Sequence, residues 1–209
     1  MPDGFDITCI GHSGFLVQTA GFNLIFDFFT DKKGVITPDI LKNGKTCVFV
    51  SHSHDDHFNK AIFDWADKGD VCYVLDSGCT APDNVNAVFV NNGDTASLFD
   101  ARIQITAFGS TDEGVSFLVT IGDSSLFHAG DLNCWYWEDE STQEELQADE
   151  QAYLDVLDKL KGRKIDLAFI PEDPRLGRHS GRGIMHFERI IKPARIIPMH
   201  FPGNDGLTY

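Results

Sequence analysis

The apolar run Cys47-Val48-Phe49-Val50 leads directly into Ser51-His52-Ser53-His54-Asp55-Asp56-His57-Phe58-Asn59, so that three imidazoles and two carboxylates fall within six residues. Side chains alternate along an extended chain, so His52 and His54 point the same way and can hold one cation. Asp56 and His57, one turn of loop further on, can face a second. A solvated polar loop or a helix-capping segment would account for Asp55 or Asn59. Neither accounts for three histidines beside carboxylates at the end of a buried strand. The stretch constrains the fold because the remaining ligands must reach it from distant parts of the chain.

Further candidates stand at the ends of other apolar runs. Asp131 follows His128-Ala129-Gly130, where its two oxygens could bridge two cations or simply cap a turn. His200 ends Ile196-Ile197-Pro198-Met199, as a ligand or as a buried histidine satisfied by backbone. Singly, each is better read as structural; together they are better read as a metal centre. His128, three residues before Asp131, turns to the opposite face under strict alternation and reads as structural.

Short runs rich in Val, Ile and Phe read as strands near residues 5–10, 15–19, 23–28, 46–51, 71–76, 87–91, 101–108, 115–121 and 125–129. Ala20-Gly21, Asn92-Gly93 and Gly122-Asp123 mark tight turns. A helix is expected over 60–68 and a longer one from Thr142 to Lys161, where Thr142 and Glu145 can form a capping box and Gly162 can end the helix. A strand (165–170), a glycine-rich basic loop, a helix (184–191) and a last strand (195–199) follow. Strand runs with interspersed helices in both halves predict an α/β fold of two sheets packed face to face with helices outside. At 209 residues one domain is the expectation.

The formal charge of -15 repels polyanions, which makes nucleic acid a poor partner. Five cysteines without a Cys-x-x-Cys pair or dense spacing fit a reducing compartment. Met1-Pro2-Asp3-Gly4 lacks the charged start and apolar stretch of a secretory signal, and no run approaches a membrane span. These features are those of a cytoplasmic protein with no membrane partner; a homo-oligomer is compatible with them. Residues 138–158 carry nine acids and no Lys or Arg, a solvated helix face, whereas residues 159–195 carry ten of the 17 basic residues.

The motif His52-x-His54-x-Asp56-His57 resembles that of the metallo-β-lactamase superfamily, and the resemblance spans nearly the whole chain. Asp27 in Leu24-Ile25-Phe26-Asp27 looks like the strand-end Asp that precedes the motif, Asp131 like the bridging Asp, and His200 like the last His. The opening Gly11-His12-Ser13-Gly14 is similar to the branch that includes ascorbate-phosphate lactonases. The resemblance implies a four-layer αβ/βα sandwich with its metals at one edge. Where the superfamily usually supplies a further His, this chain has Ser110 in Phe108-Gly109-Ser110-Thr111, and a hydroxyl is a far poorer ligand than imidazole. The first cation would keep His52, His54 and Asp131, completed by water or Asp112. The second would keep Asp56, His57, Asp131 and His200, so the second site should be the fuller.

A divalent cation, zinc first with manganese or iron as alternatives and one or two per chain, would generate a bound hydroxide at neutral pH. That predicts hydrolysis, with Asp56 orienting the nucleophile or moving a proton. Asp27 and His12 would orient ligands, although His12 could equally hold the turn before the second strand. Arg175, Arg178 and Arg182 could bind a phosphate or carboxylate, or lie in a solvated loop. Trp135, with Tyr136 and Trp137, could wall a pocket or belong to the core. The leading expectation is a metallo-hydrolase acting on a small, anionic ester, lactone or phosphate-containing molecule. A mononuclear iron oxidoreductase or dioxygenase and a non-catalytic metal- or ligand-binding module are the alternatives; a nuclease ranks lower for want of a basic track.

Overall fold

The computed structural model describes residues 4–201; Met1, Pro2 and Asp3, part of the segment considered above for a secretory signal, lie outside them. The first sheet is formed by β1 (Asp6–Gly11), β2 (Gly14–Thr19), β3 (Phe22–Phe26), β4 (Lys45–Val50), β5 (Asp70–Asp76) and β6 (Ala87–Val90), in chain order across the sheet. The second contains β7 (Thr95–Leu98), β8 (Ile103–Gly109), β9 (Val115–Ile121), β10 (Ser124–His128), β11 (Leu167–Pro171) and β12 (Ile196–Met199), also in chain order. Each begins as an antiparallel meander and ends as three parallel pairings or two: β3 to β6 are parallel neighbours in the first, β10 to β12 in the second. Parallel pairs need crossovers, and the longest carries α2 (Gln143–Leu160) between β10 and β11.

One apolar cluster fills the space between the sheets and extends beneath α2 and α3 (Arg182–Ile191), joining Phe15, Phe26 and Phe49 to Phe117, Phe127, Phe169, Tyr153, Leu157 and Phe187. A second, around Val48, Tyr73 and Leu75, lies on the other face of the first sheet beneath α1 (Pro38–Lys42) and the segment Lys60–Trp65. The result is the predicted α/β sandwich, two sheets enclosed by helices.

Local signals correctly place α2: the Thr142 side chain accepts from the Glu145 N–H, and the Glu145 carboxylate accepts from the Thr142 N–H at 2.8 Å. The segment expected as a helix over 60–68 is instead a 3-10 turn, Lys60–Trp65, capped by Asn59. Its one fully buried position, Ile62, gives it too little apolar face to propagate an α-helix. Three elements escape the sequence pattern: α1 is only five residues long, β7 is a half-exposed edge strand, and the expected glycine-rich basic loop holds a 3-10 segment, Pro174–His179. The five cysteines are free thiols. Among the described residues no helix is long and apolar enough to cross a membrane.

Candidate metal centre

The motif residues and their distant partners meet at one edge of the two sheets. Asp27 follows β3, His52, His54 and His57 follow β4, Asp131 follows β10, Asp173 follows β11, and His200 follows β12. These are the carboxyl ends of parallel strands, where open α/β sheets form their binding crevices. His12 arrives from the turn after β1, and the His200 N–H donates to its carbonyl at 3.2 Å. His12, Asp27 and His200 adopt left-handed backbone, with φ of 49°, 42° and 68°. For non-glycine residues that conformation costs about 1–2 kcal/mol each and persists only where surrounding packing imposes it.

Two glycines permit the loops to close over the motif. A Cβ on Gly114 would lie 2.0 Å from the Ser51 carbonyl oxygen, and one on Gly130 would lie 2.6 Å from Ser51 Cβ. The β8–β9 loop and the turn bearing Asp131 therefore pack directly on the backbone that carries His52.

Each motif ring has one nitrogen anchored outward. His57 Nδ1 meets Asp27 Oδ2 at 2.8 Å, and His52 Nδ1 meets Ser51 Oγ at 3.0 Å, whose own proton goes to Asp27 Oδ2 at 2.7 Å. His200 Nδ1 meets Asp173 Oδ2 at 3.0 Å, and His54 Nε2 lies 3.3 Å from Glu113 Oε2. An acceptor at one ring nitrogen keeps the proton there, leaving the other nitrogen's lone pair free.

The free nitrogens converge. His52 Nε2 and His54 Nδ1 face each other at 3.0 Å. Asp131 stands between the two halves of the cluster, with Oδ1 3.1 Å from His57 Nε2 and 3.3 Å from His200 Nε2, and Oδ2 3.5 Å from His52 Nε2. Despite that proximity, His57 Nε2, Asp131 Oδ1 and His12 Nε2 are buried without a hydrogen bond of acceptable geometry. Buried polar atoms rarely stay unpaired, and three converging ligand atoms in that condition fit a cation. Among the described residues, donor atoms within 4.8 Å of one another form three sets: His52–His54–Asp131 and His12–Asp56–His57–His200 here, with Asp131 also bordering the second, and a separate set Cys134–Glu150–His186. His12 was expected to orient ligands or hold a turn; the fold places it instead among the donor atoms themselves. The Ser110 hydroxyl accepts the Asp112 N–H at 3.2 Å, a local turn contact.

The carboxylates and imidazoles of the cluster shift one another's titration, and a cation would have to displace the proton on His57 Nε2. Burial opposes ionisation of Asp131, but His200 and His57 outweigh it and hold the carboxyl far below the usual range. Burial would lower His57, yet the Asp131 and Asp27 carboxylates overcome it and raise the ring to about 10. For His12, burial and then its imidazole neighbours His200 and His57 bring the ring down to about 4, leaving it neutral near pH 7.

An open pocket of about 430 Å³ over the cluster is lined by His54, Asp56, Thr111, Asp112, Asp131, Trp135, Trp137, Asp149, Arg175 and His200. Asp56 is half-exposed there, 3.5 Å from His12. Trp135 is both wall and core: it lines the pocket, is buried, and donates its indole N–H to the Asp131 carbonyl at 3.0 Å. Of the three arginines, only Arg175 borders this pocket. Arg178 and Arg182 point elsewhere because Glu138 binds the first and Glu150 the second. His128 is structural, its Nε2 donating to the Ser13 carbonyl at 2.9 Å and its ring stacked on Phe26. Asp173, Glu113 and Asp149 went unrecognised in the sequence. Asp173 carried a signal, an acid just past an apolar strand like Asp27 and Asp131; the other two carried none.

Residues 6–200 match the model of the beta-lactamase superfamily domain. A UPF0173 metal-dependent hydrolase of Nitratidesulfovibrio vulgaris is 30% identical over 152 residues, 60% of this chain and 58% of the relative. In that comparison the chain spans less than two thirds of the relative's length. Another UPF0173 metal-dependent hydrolase, from Heliobacterium modesticaldum, is 27% identical over 214 residues, covering 93% of this chain and 82% of the relative. Igni18, a metallo hydrolase from Ignicoccus hospitalis, shares the fold with a TM-score of 0.67 at 19% identity, over 94% of this chain and 82% of that one. With donor atoms gathered at the edge of two mixed sheets and a family match running almost end to end, the chain belongs to the beta-lactamase superfamily.

Proposed function

We propose that this protein is a metal-dependent hydrolase whose substrate is a small anionic ester, lactone or phosphate-containing molecule. The observation that carries the reading is the inward convergence of singly anchored imidazoles on Asp131, with His57 Nε2 and Asp131 Oδ1 buried and unpaired. The description of the relatives as metal-dependent hydrolases supports it.

His52, His54 and Asp131 would hold one divalent cation, zinc before manganese or iron, and His12, Asp56, His57 and His200 a second that Asp131 also borders. Such cations supply Lewis acidity, bringing the pKa of water toward about 7 and polarising the oxygen under attack. Around them the chain's own groups do the positioning. Asp27 and Asp173 keep the protons of His57 and His200 on Nδ1, and Ser51 does the same for His52. Asp56, half-exposed at the pocket, is placed to accept a proton from water and pass it to solvent. Arg175 is the only Lys or Arg in the pocket lining and supplies the counter-charge for one anionic group.

The test is metal quantification on protein purified without added metal, together with hydrolysis assays of ester, lactone, phosphodiester and thioester panels. Native protein should carry metal and turn over at least one panel, and Asp131→Ala should lose both metal and turnover. Metal bound tightly with no product from any panel would instead favour a binding module.

A further inference from the structure

The metal pocket is continuous with a second cavity of about 340 Å³, because Trp137 and Arg175 line both. Trp135 and Trp137 stack with ring planes 5° apart and centroids 6.1 Å apart, and the Arg175 guanidinium lies over the Trp137 ring at 5.6 Å. This wall is built rather than incidental. The Trp135 indole is tied to the Asp131 carbonyl, so the inner ring is fixed to the residue between the two donor sets. Arg175 is gripped by Asp173 through Nε and Nη2, and Asp173 in turn holds His200. Two stacked indoles and a fixed cation over the outer one thus lie together, each attached to the candidate metal centre by one intervening residue.

From this juxtaposition we infer that Trp137 and Arg175 form a substrate-selecting platform for esters or lactones that carry a planar aromatic ring beside a carboxylate or similar oxyanion. The inference rests on the hydrolase reading above only for what happens to the substrate; recognition by the platform is a separate property. Offset stacking on an indole favours an aromatic ring over a saturated ring of similar size by up to about 10-fold in affinity. A guanidinium already half engaged with Asp173 keeps donor capacity for one further oxyanion. Asp112 and Asp149 in the same lining limit the ligand to that single charge, placed at Arg175. The adjoining cavity, bordered by Tyr136, Leu176 and Gly177 and by the acids Glu138, Asp139 and Glu140, leaves room for the ring to extend away from the reacting bond but not for a second anionic group there.

The test measures binding of three probes to metal-loaded protein by tryptophan fluorescence and calorimetry: 1-naphthoate, decahydro-1-naphthoate and 1-naphthamide. Any carboxylate–metal contact is common to the two acids, so their ratio reports the ring. Naphthoate should bind about 10-fold tighter than decahydro-1-naphthoate. Trp137→Leu should abolish that preference and Trp137→Phe should retain most of it. Arg175→Gln should weaken naphthoate severalfold and leave naphthamide unchanged. Equal affinity of the two acids for native protein, persistence of the preference in Trp137→Leu, or equal weakening of acid and amide in Arg175→Gln would each overturn the platform. None of these readouts requires turnover, so a protein that selects naphthoate but hydrolyses nothing separates this inference from the hydrolase reading.

Discussion

Asp27 Oδ2 lies 2.8 Å from His57 Nδ1, and both side chains are wholly removed from solvent. The same carboxylate takes the Ser51 N–H and hydroxyl, so one acid just after β3 orients two rings of the motif that follows β4. Asp27→Asn keeps the shape and removes the charge. Metal affinity should fall about 10- to 100-fold, measured by chelator competition, because the rings lose their fixed tautomer. Unchanged affinity would show that Asp27 serves folding alone.

Zinc titration of stripped protein should resolve two unequal events. Four donor residues compose the set His12–Asp56–His57–His200, against three in His52–His54–Asp131. The fuller set should fill first and survive dialysis against a weak chelator. His12→Ala should weaken that first event, an effect that a purely turn-holding histidine would not have. Two equally tight ions per chain would contradict this order.

Gly130→Ala should lower the unfolding free energy by about 2 kcal/mol or more, since φ is +54° and the added carbon would meet Ser51 Cβ at 2.6 Å. Gly162→Ala is the matched control. Its φ is +80° with nothing within 4 Å, so only the backbone term remains, about 1 kcal/mol. Denaturant midpoints of the two variants settle the comparison, and equal losses would remove the steric explanation.

Phe169 is fully buried between the sheets, with its ring centroid 4.2 Å from that of Phe15 and 6.3 Å from that of Phe26. Truncation to alanine should cost about 3–5 kcal/mol, read from chemical denaturation. A loss below about 1 kcal/mol would mean that the two sheets do not depend on this contact.

Asp166 contributes a pH dependence away from the metal centre. Partial burial works to raise it, but the Lys164 ammonium and the Ser125 N–H hold its pKa below 3.8. A carboxyl depressed on folding contributes stability that is present above its unfolded pKa and is lost as pH falls through the folded one. Asp166→Asn should therefore destabilise by less than about 1 kcal/mol at pH 7, solvent screening weakening the exposed Lys164 pair, and should flatten the acid limb of the stability curve. Parallel curves for the two proteins would dissociate Asp166 from acid unfolding.

Much of this molecule is written locally. Val48, Phe49 and Val50 announce β4, the Thr142–Glu145 pair announces the start of α2, and the histidine-rich stretch after Val50 marks the candidate centre. Such signals are legible because alternation, capping and ligand spacing act over a few residues. Where an element is too short to show a period, as in α1, or half-exposed, as in β7, the chain offers no equivalent pattern.

The sequence by itself determined which side chains could bind a cation and that strands would carry them to a common edge. Tertiary structure alone decided which nitrogen of each ring turns inward, since that depends on acceptors supplied by Asp27 after β3, Asp173 after β11 and Glu113 in the β8–β9 loop. It also moved His12 into the donor set and took Arg178 and Arg182 out of the pocket by pairing them with Glu138 and Glu150. Ring orientation and charge pairing are set by atoms far apart in the chain, and their distances exist only once the two sheets have packed.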